Sequence, residues 1–345
     1  MAYTTIDNPH KFFNTVLYTG NGTTDHAITG VGFQPDWTWL KKRNNADDHI
    51  LSDAVRGATK YVISNSTAVE GTYAEGFKSF DSDGFTLGNA NNTNQNTHTF
   101  AAWNWRAGNS SGSSNGDGSI TSTVSVNTTA GFSIVSYTGT GSAATVGHGL
   151  GAVPKMFIVK NRDSTESWRV YHNALGATKE IYLDLSNAVG TSSSSFNDTE
   201  PTSSVFSVGT GNGTNKSSEN LIAYCFAEKK GYSKLGSYTG NGNADGPFVY
   251  TGFKPAWLMV KRYDGGSNNW LILDNKRDPL NQMGKGLFPD NSNTEATGYH
   301  CDFLSNGFKF RLSGSGENGS GYSYLFMAFA ESPFVNSKGI PNNAR

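Results

Sequence analysis

The chain has 345 residues and a formal net charge of −1, and only 16% of its residues are charged. This composition excludes the strongly basic surface that binding to a nucleic-acid backbone or an anionic membrane requires. Aromatic residues make up 12% of the chain and lie among 41 glycines. Aromatic runs interrupted by turn residues are typical of short β-strands. The sequence therefore predicts an all-β protein, longer than one typical domain.

A short phrase occurs three times and opens each copy of an internal repeat. It reads VLYTGNG from Val16, VSYTGTG from Val135 and GSYTGNG from Gly236. In each copy a proline follows the tyrosine of the phrase after seventeen residues, and a glycine lies three residues before the proline. These residues are Gly32 and Pro35, Gly151 and Pro154, and Gly252 and Pro255. Because the spacings agree without a gap, the repeat is a property of the fold and not of the composition.

Each copy continues through the same series of strand-like segments. The segment after the proline ends at a lysine, namely Lys41, Lys160 or Lys261. It is apolar on both faces, which predicts a central strand covered on each side. A second strand, a hairpin and a closing aromatic strand follow. The unit has roughly ninety residues, which is long enough to enclose its own core.

The sequence thus predicts three tandem β-sandwiches. The predicted division is an N-terminal segment (1–16), copy one (17–107), a linker with a hairpin strand (108–131), copy two (132–231), copy three (232–334) and a C-terminal tail (335–345). In the linker, residues 122–126 are expected to pair with residues 132–137.

The connections differ between the copies. The linker before copy two is rich in glycine and serine, whereas copies two and three are joined by the short segment KKGYSKLG (229–236). We therefore expect copies two and three to form a rigid pair and copy one to be more mobile. Copies one and two share the phrase GATK, but copy three has NKRDPLNQMGKG (275–286) at this place, which predicts a different loop.

Two segments match known motifs only in part. GSGENG (314–319) has the glycine spacing of a dinucleotide site, but it lies in a polar loop before a strand and is interpreted as a hairpin loop. DSDG (81–84) is compatible with a calcium loop, yet its equivalent in copy three, LSNG, keeps the turn without the carboxylates. Cys225 and Cys301 have no counterparts in other copies, which excludes a repeated disulfide or zinc site. We predict a non-enzymatic protein without catalytic residues, cofactor or metal.

Trp168 and Trp270 are the candidate ligand-binding residues. They begin the second strand of copies two and three at equivalent places, beside the loops NRDSTES and RYDGGSNN. An exposed indole at this place would stack on a sugar ring while the loop amides and carboxylates bind its hydroxyls. The alternative is that both tryptophans are core residues, as large aromatic side chains in strands usually are.

The repeated phrases resemble a known family. The matching stretches include LYTGNG, GFQPDWTWLKKRN, DAVRGATK, SFDSDGFTLG, AAWNWRAG, LIAYCFAEKKGYSKLGSYTGNG and MAFAESPFVNSKGIPNNAR. They are similar to the repeated β-domain proteins of marine bacteriophages, which are described as tail-fibre-like or as a domain of unknown function. The resemblance covers nearly the whole chain. It implies β-sandwiches of the jelly-roll or concanavalin A-like kind and no catalytic residue.

What the resemblance implies is a structural protein of a phage particle. We expect a tail fibre or tail appendage that is made in the host cytoplasm, resides in the virion and binds a host-surface glycan or receptor. Capsid decoration is the alternative, and a polysaccharide depolymerase is a third reading. The expected partners are other virion proteins and copies of the chain in a homo-oligomer, with no nucleic acid and no membrane insertion.

Overall fold

The computed structural model describes residues 3–342, which form three copies of one two-sheet unit. After a 3-10 helix at Pro9–Lys11, copy one contains β1 (Phe13–Thr19), β2 (His26–Thr29), β3 (Trp37–Lys42), β4 (Ile50–Asp53), β5 (Lys60–Ile63), β6 (Gly71–Thr72), β7 (Phe77–Asp81), β8 (Gly84–Leu87), α1 (Asn91–Asn94) and β9 (Thr99–Trp105).

The next two copies repeat this order with small differences. The linker and copy two contain β10 (Ser113–Asn115), β11 (Ser122–Asn127), β12 (Phe132–Thr138), β13 (Ala144–Gly147), β14 (Met156–Asn161), β15 (Arg169–His172), β16 (Lys179–Tyr182), β17 (Gly190–Thr191), α2 (Ser193–Phe196), β18 (Val205–Val208), α3 (Asn212–Asn215) and β19 (Asn220–Phe226). Copy three contains β20 (Ser233–Thr239), β21 (Phe248–Tyr250), β22 (Phe253–Arg262), β23 (Trp270–Asp274), β24 (Cys301–Leu304), β25 (Gly307–Phe310) and β26 (Ser323–Pro333).

Each copy folds into a larger and a smaller antiparallel sheet. The larger sheets have the orders β1-β9-β3-β4-β5-β6, β10-β11-β12-β19-β14-β15-β16-β17 and β20-β26-β22-β23. The smaller sheets are β2-β8-β7, β13-β18 and β21-β25-β24. Each copy has its own hydrophobic cluster, to which both its sheets contribute. The predicted all-β, sandwich-type fold is confirmed.

The strand pairings also test two details of the sequence analysis. The predicted hairpin is confirmed, because Ser122 pairs with Tyr137 and Asn127 with Phe132. The linker adds β10 to the edge of the same sheet. The first strand begins earlier than the predicted start of copy one, since Phe13 already pairs with the last residue of β9.

The three larger sheets pack against one another around a shared hydrophobic cluster, which we call the central core. All seven tryptophans of the chain lie in it. It contains Trp37, Trp39, Trp103 and Trp105 of copy one, Trp168, Tyr224 and Phe226 of copy two, and Trp257, Trp270 and Phe329 of copy three. Copy one therefore shares its core with the other two copies, which differs from the expected mobility of that copy.

The phrase YTGxG forms the same hydrogen-bonded turn in each copy. In copy one the Tyr18 hydroxyl donates to the Thr93 carbonyl (2.6 Å), and the amide of buried Asn94 binds the turn that follows β1. A Cβ on Gly20 would lie 2.2 Å from the Gln95 carbonyl oxygen, so only glycine fits there. Asn215 and Asn318 hold the corresponding turns of copies two and three. The phrase is repeated because it fastens each first strand to the start of its closing strand.

The molecule has two ends that differ in content. At the loop end, β1, β12 and β20 finish beside the starts of the closing strands β9, β19 and β26. The opposite end, the terminal end, carries the starts of these first strands and both ends of the described chain. There the Tyr3 hydroxyl donates to the Gly252 carbonyl (2.8 Å), and the Ser337 amide donates to Asp7 (2.6 Å). Any surface at the loop end therefore lies at the opposite end of the molecule from both ends of the described chain.

Candidate functional site

Trp168 and Trp270 lie in the central core and not on the surface. Their exposed fractions are 0% and 2%. The Trp168 indole donates to the Ile63 carbonyl of copy one (2.9 Å), and the Trp270 indole donates to the Tyr182 carbonyl of copy two (2.8 Å). The hypothesis that these indoles stack on a sugar is wrong, because no ring face reaches solvent. The two tryptophans instead join neighbouring copies.

The lysine that ends each central strand also crosses to a neighbouring copy. Its ammonium group donates to a backbone carbonyl there and to a second carbonyl in its own copy. The bonds between copies join Lys41 to the Ser292 carbonyl (3.1 Å), Lys160 to the Thr67 carbonyl (2.9 Å) and Lys261 to the Ser186 carbonyl (2.9 Å). Copy one thus binds copy three, copy two binds copy one, and copy three binds copy two. The three contacts close a ring with internal pseudo-threefold symmetry.

Because of these buried lysines, the stability of the folded chain changes with pH in the alkaline range. Burial lowers the pKa of Lys41, Lys160 and Lys261 to about 8. The lysines of an unfolded chain keep their protons up to a pKa of about 10.4. Between these values the unfolded chain binds more protons than the folded chain, so this contribution to stability rises with pH.

We expect the wild type to gain stability relative to a Lys160→Met variant as the pH is raised from about 8 to about 10. The difference between the two proteins is the informative quantity, because burial raises the pKa of Cys225 and Cys301 and opposes the trend in both of them. Urea unfolding followed by tryptophan fluorescence measures it. A difference that stays constant across this pH range would contradict the assignment.

Two of the three junctions between copies carry a buried ionic network. At the junction of copies one and two, Arg162 forms a bidentate pair with Glu70, with N–O distances of 2.8 and 2.9 Å. Arg56 contacts the same carboxylate at 3.3 Å and binds Asp53 at 2.5 Å. The Tyr224 hydroxyl of copy two donates to Asp53 (2.8 Å). Burial alone would raise the pKa of Glu70, but the bonds from Arg162 and the charge of Arg56 hold it below its ordinary value.

The junction of copies three and one repeats this network with equivalent residues. Arg43 forms a bidentate pair with Glu295, with both N–O distances at 2.9 Å. Arg277 contacts Glu295 at 3.1 Å and binds Asp274 at 2.5 Å. The Trp103 indole of copy one donates to Asp274 (3.0 Å). The donor from the closing strand is again paired with a carboxylate of the neighbouring copy.

The junction of copies two and three replaces the whole network with less polar side chains. The backbone contact is kept, since the Val189 amide donates to the Tyr263 carbonyl (2.9 Å). Leu175 occupies the position that Arg56 and Arg277 have in the other two junctions, and it packs with Tyr263 against the central core. His172 occupies the position of Asp53 and Asp274. Met327 occupies the position of Tyr224 and Trp103, which donate to those carboxylates. All five positions have changed together, so one junction is apolar where the other two are ionic.

The candidate ligand site is a cavity of about 470 Å³ at the loop end, between copies one and three, which we call the inter-copy pocket. It is lined by Ala46, Asn269, Phe288, Asn293, Thr294, Ala296 and Tyr299. All but Ala46 belong to copy three, and most come from the stretch between β23 and β24. This stretch includes the segment at which copy three departs from the other two copies.

Fixed contacts with copy one hold the rim of the inter-copy pocket. The Ser292 carbonyl accepts from the Asp47 amide (3.0 Å), and the Glu295 amide donates to the Arg43 carbonyl (2.8 Å). The two residues between these anchor points are Asn293 and Thr294, which are exposed and line the pocket. The rim is thus preorganised by the junction and does not depend on a loose loop.

The inter-copy pocket combines aromatic surface with amides and carries no charged side chain in its lining. The rings of Phe288 and Tyr299 meet edge to face, with centroids 5.6 Å apart. The Tyr299 hydroxyl is a hydrogen-bond donor at neutral pH, as tyrosine hydroxyls ordinarily are, and burial raises its pKa further. Asn269 and Asn293 add amide donors and acceptors at the rim. This set suits an uncharged ligand that has both an apolar face and hydroxyl groups.

Part of this site could be predicted from the sequence. The predicted sugar-binding loop RYDGGSNN does reach the pocket, through Asn269, but the aromatic partner is Tyr299 and not Trp270. The signal that pointed to the right place was the departure of copy three after β23. The stretch that follows is paired by isolated bridges such as Gly286 with Ala296, which no periodic pattern predicts.

Within residues 3–342, no cluster of His, Cys, Asp or Glu side chains is suited to hold a metal ion. The described residues also contain no helix long and apolar enough to cross a membrane.

The fold and the pocket define the class of protein as a single-chain, pseudo-threefold β-sandwich protein with a ligand-sized cavity between two of its copies. The chain belongs to the family described as Domain of unknown function (DUF7483), which matches residues 8–333. The match covers all three copies. Comparisons with curated proteins and with solved structures found no match.

Proposed function

We propose that the protein is a non-enzymatic structural component of a bacteriophage particle, of the tail-fibre or tail-appendage type, that binds a host-surface saccharide in the inter-copy pocket. The observation that carries the binding role is the pocket itself, which has an aromatic and amide lining and a preorganised rim. The virion role is supported by the resemblance of the repeated phrases to phage β-domain proteins.

The chemistry of the pocket favours a neutral saccharide. A pyranose ring presents a face of C–H groups that packs on an aromatic side chain, and its hydroxyls bond to amides. Tyr299 supplies the aromatic surface, and Asn269 and Asn293 supply the amides. The volume of about 470 Å³ is within the usual range for small-ligand sites.

The position of the pocket also suits adhesion. It lies at the loop end, so a chain held at the terminal end presents the pocket away from the attachment point. A single shallow pocket binds weakly, but many copies on one particle raise the overall avidity by orders of magnitude. The rigid ring of three copies keeps the pocket in one orientation.

A glycan array probed with the fluorescently labelled full chain tests the binding role. We expect Tyr299→Ala to weaken binding about two- to tenfold, because an aromatic contact contributes about 0.5–1.5 kcal/mol. Tyr73→Ala is the matched control, since Tyr73 is 47% exposed and belongs to copy one, outside the pocket. Equal loss in both variants, or no binding to any glycan, would contradict a saccharide site.

Two further measurements separate this function from its alternatives. Release of reducing sugar from a bound polysaccharide would contradict the non-enzymatic assignment and support a depolymerase. Electron microscopy of labelled particles distinguishes a distal tail position, which the proposal requires, from a capsid lattice position, which would support a decoration protein.

A further inference from the structure

A second cavity lies at the terminal end of copy three, and we call it the terminal cleft. Its volume is about 410 Å³. It is lined by Lys254, Asn275, Lys276, Pro279, Leu280, Asn281, Met283, Phe303 and Glu331. Much of the lining comes from the segment NKRDPLNQMGKG, which copies one and two lack. The terminal cleft is therefore as specific to copy three as the inter-copy pocket, but it shares no residue with it.

The polar wall of the terminal cleft is fixed and leaves binding capacity unused. Lys254 pairs with Glu331 at 2.8 Å, and the Asn275 amide group donates to the same carboxylate at 2.9 Å. These bonds orient the Asn275 side-chain oxygen, which is buried and has no partner within the described chain. Lys276 is exposed and forms no ion pair with any described residue. The wall thus offers one unpaired cation, Lys276, at the surface.

The other wall is apolar and equally well defined. Leu280 is 74% exposed, the most exposed of the large hydrophobic residues in the described chain. Met283 and Phe303 form the buried floor, with exposed fractions of 1% and 3%. The Asn281 side chain makes two hydrogen bonds of 3.0 Å with the backbone of Phe303, which hold the rim to β24. The cleft is therefore formed before any ligand arrives.

We propose that the terminal cleft docks an extended peptide segment of a partner protein, one that carries an apolar side chain close to an acidic one. The apolar side chain packs between Leu280 and Met283, where burial removes exposed hydrophobic surface from water. The acidic side chain pairs with Lys276.

The lining of the cleft favours a peptide over a saccharide. Its exposed apolar surface is aliphatic, supplied by Leu280 and Pro279, and offers no open aromatic face for a sugar ring. This site does not depend on saccharide binding in the inter-copy pocket.

Panning a random dodecapeptide library on the immobilised full chain tests the proposal. Peptides that bind Lys276→Glu/Leu280→Asp protein are removed first. Both residues are exposed, so these substitutions leave the fold intact. We expect the enriched peptides to share an apolar and an acidic residue, and a synthetic representative to bind the wild type at least tenfold more tightly than either single variant.

Charge reversal provides the matched control. A peptide with lysine in place of its acidic residue is expected to recover binding to the Lys276→Glu protein and to lose binding to the wild type. Tyr299→Ala, in the inter-copy pocket, is expected to leave peptide binding unchanged. Enriched peptides that bind the double variant as well as the wild type would overturn the proposal, as would the absence of any enrichment.

Discussion

Replacement of Asp53 by alanine is expected to destabilise the folded chain by about 3–5 kcal/mol, the usual cost of removing one partner from a buried ion pair. The side chains of Asp53 and Arg56 are both fully buried. Without the carboxylate, the guanidinium of Arg56 stays desolvated with only part of its compensation, and the Tyr224 hydroxyl loses its acceptor. Urea unfolding at neutral pH, followed by tryptophan fluorescence, measures the loss.

The apolar junction of copies two and three supplies the matched control for this prediction. A variant of the other junction that copies all five residues is Asp53→His, Arg56→Leu, Glu70→Val, Arg162→Tyr and Tyr224→Met. We expect it to be more stable than the Asp53→Ala protein, since replacing a whole buried ionic network with apolar groups is often neutral or stabilising. If the fivefold variant is no more stable than the single one, the two kinds of junction are not interchangeable and the explanation fails.

Trp37→Ala is expected to destabilise all three copies together, by about 3–5 kcal/mol. Trp37 is fully buried in the central core. Its ring stacks on Tyr224 of copy two with centroids 4.3 Å apart, and it lies 4.4 Å from Trp105. Because the three larger sheets share this core, we expect one cooperative transition in both the wild type and the variant.

Calorimetry tests the cooperativity directly. The calorimetric enthalpy should equal the van't Hoff enthalpy in both proteins. Phe85→Ala is the control, because Phe85 lies in the separate cluster between the two sheets of copy one. The Phe85→Ala substitution should lower the midpoint temperature of the same single transition. A first transition confined to copy one would contradict the shared core and restore the picture of tandem, independent sandwiches.

Much of the secondary structure could be predicted from the sequence because strand and turn signals are local. The glycines three residues before each repeat proline have positive φ angles, 87° at Gly32, 64° at Gly151 and 83° at Gly252, which only glycine adopts readily. Such constraints depend on neighbouring residues alone. The hairpin before copy two was predicted correctly for the same reason.

The packing of the copies against one another could not be predicted in this way. The central strand was correctly interpreted as apolar on both faces, but the pattern does not say which faces belong to the same copy. One face packs on the smaller sheet of its own copy, and the other packs on neighbouring copies. The sequence therefore allowed two interpretations of Trp168 and Trp270, as exposed sugar-stacking residues or as core residues. The structure shows that both are buried and that their indoles donate to carbonyls of the neighbouring copies.

The candidate sites show the same division. The sequence indicated that copy three departs from the other copies after β23, because an internal repeat reveals its own exceptions. It did not indicate that Tyr299 and Asn269 meet across 30 residues, or that copy one completes the pocket at Ala46. By itself, the sequence determined the repeat, its strands and its turns, which depend on local backbone preference and hydrophobic pattern. The tertiary structure alone decided that three copies close into one ring with a common core, since that depends on contacts between residues far apart in the chain.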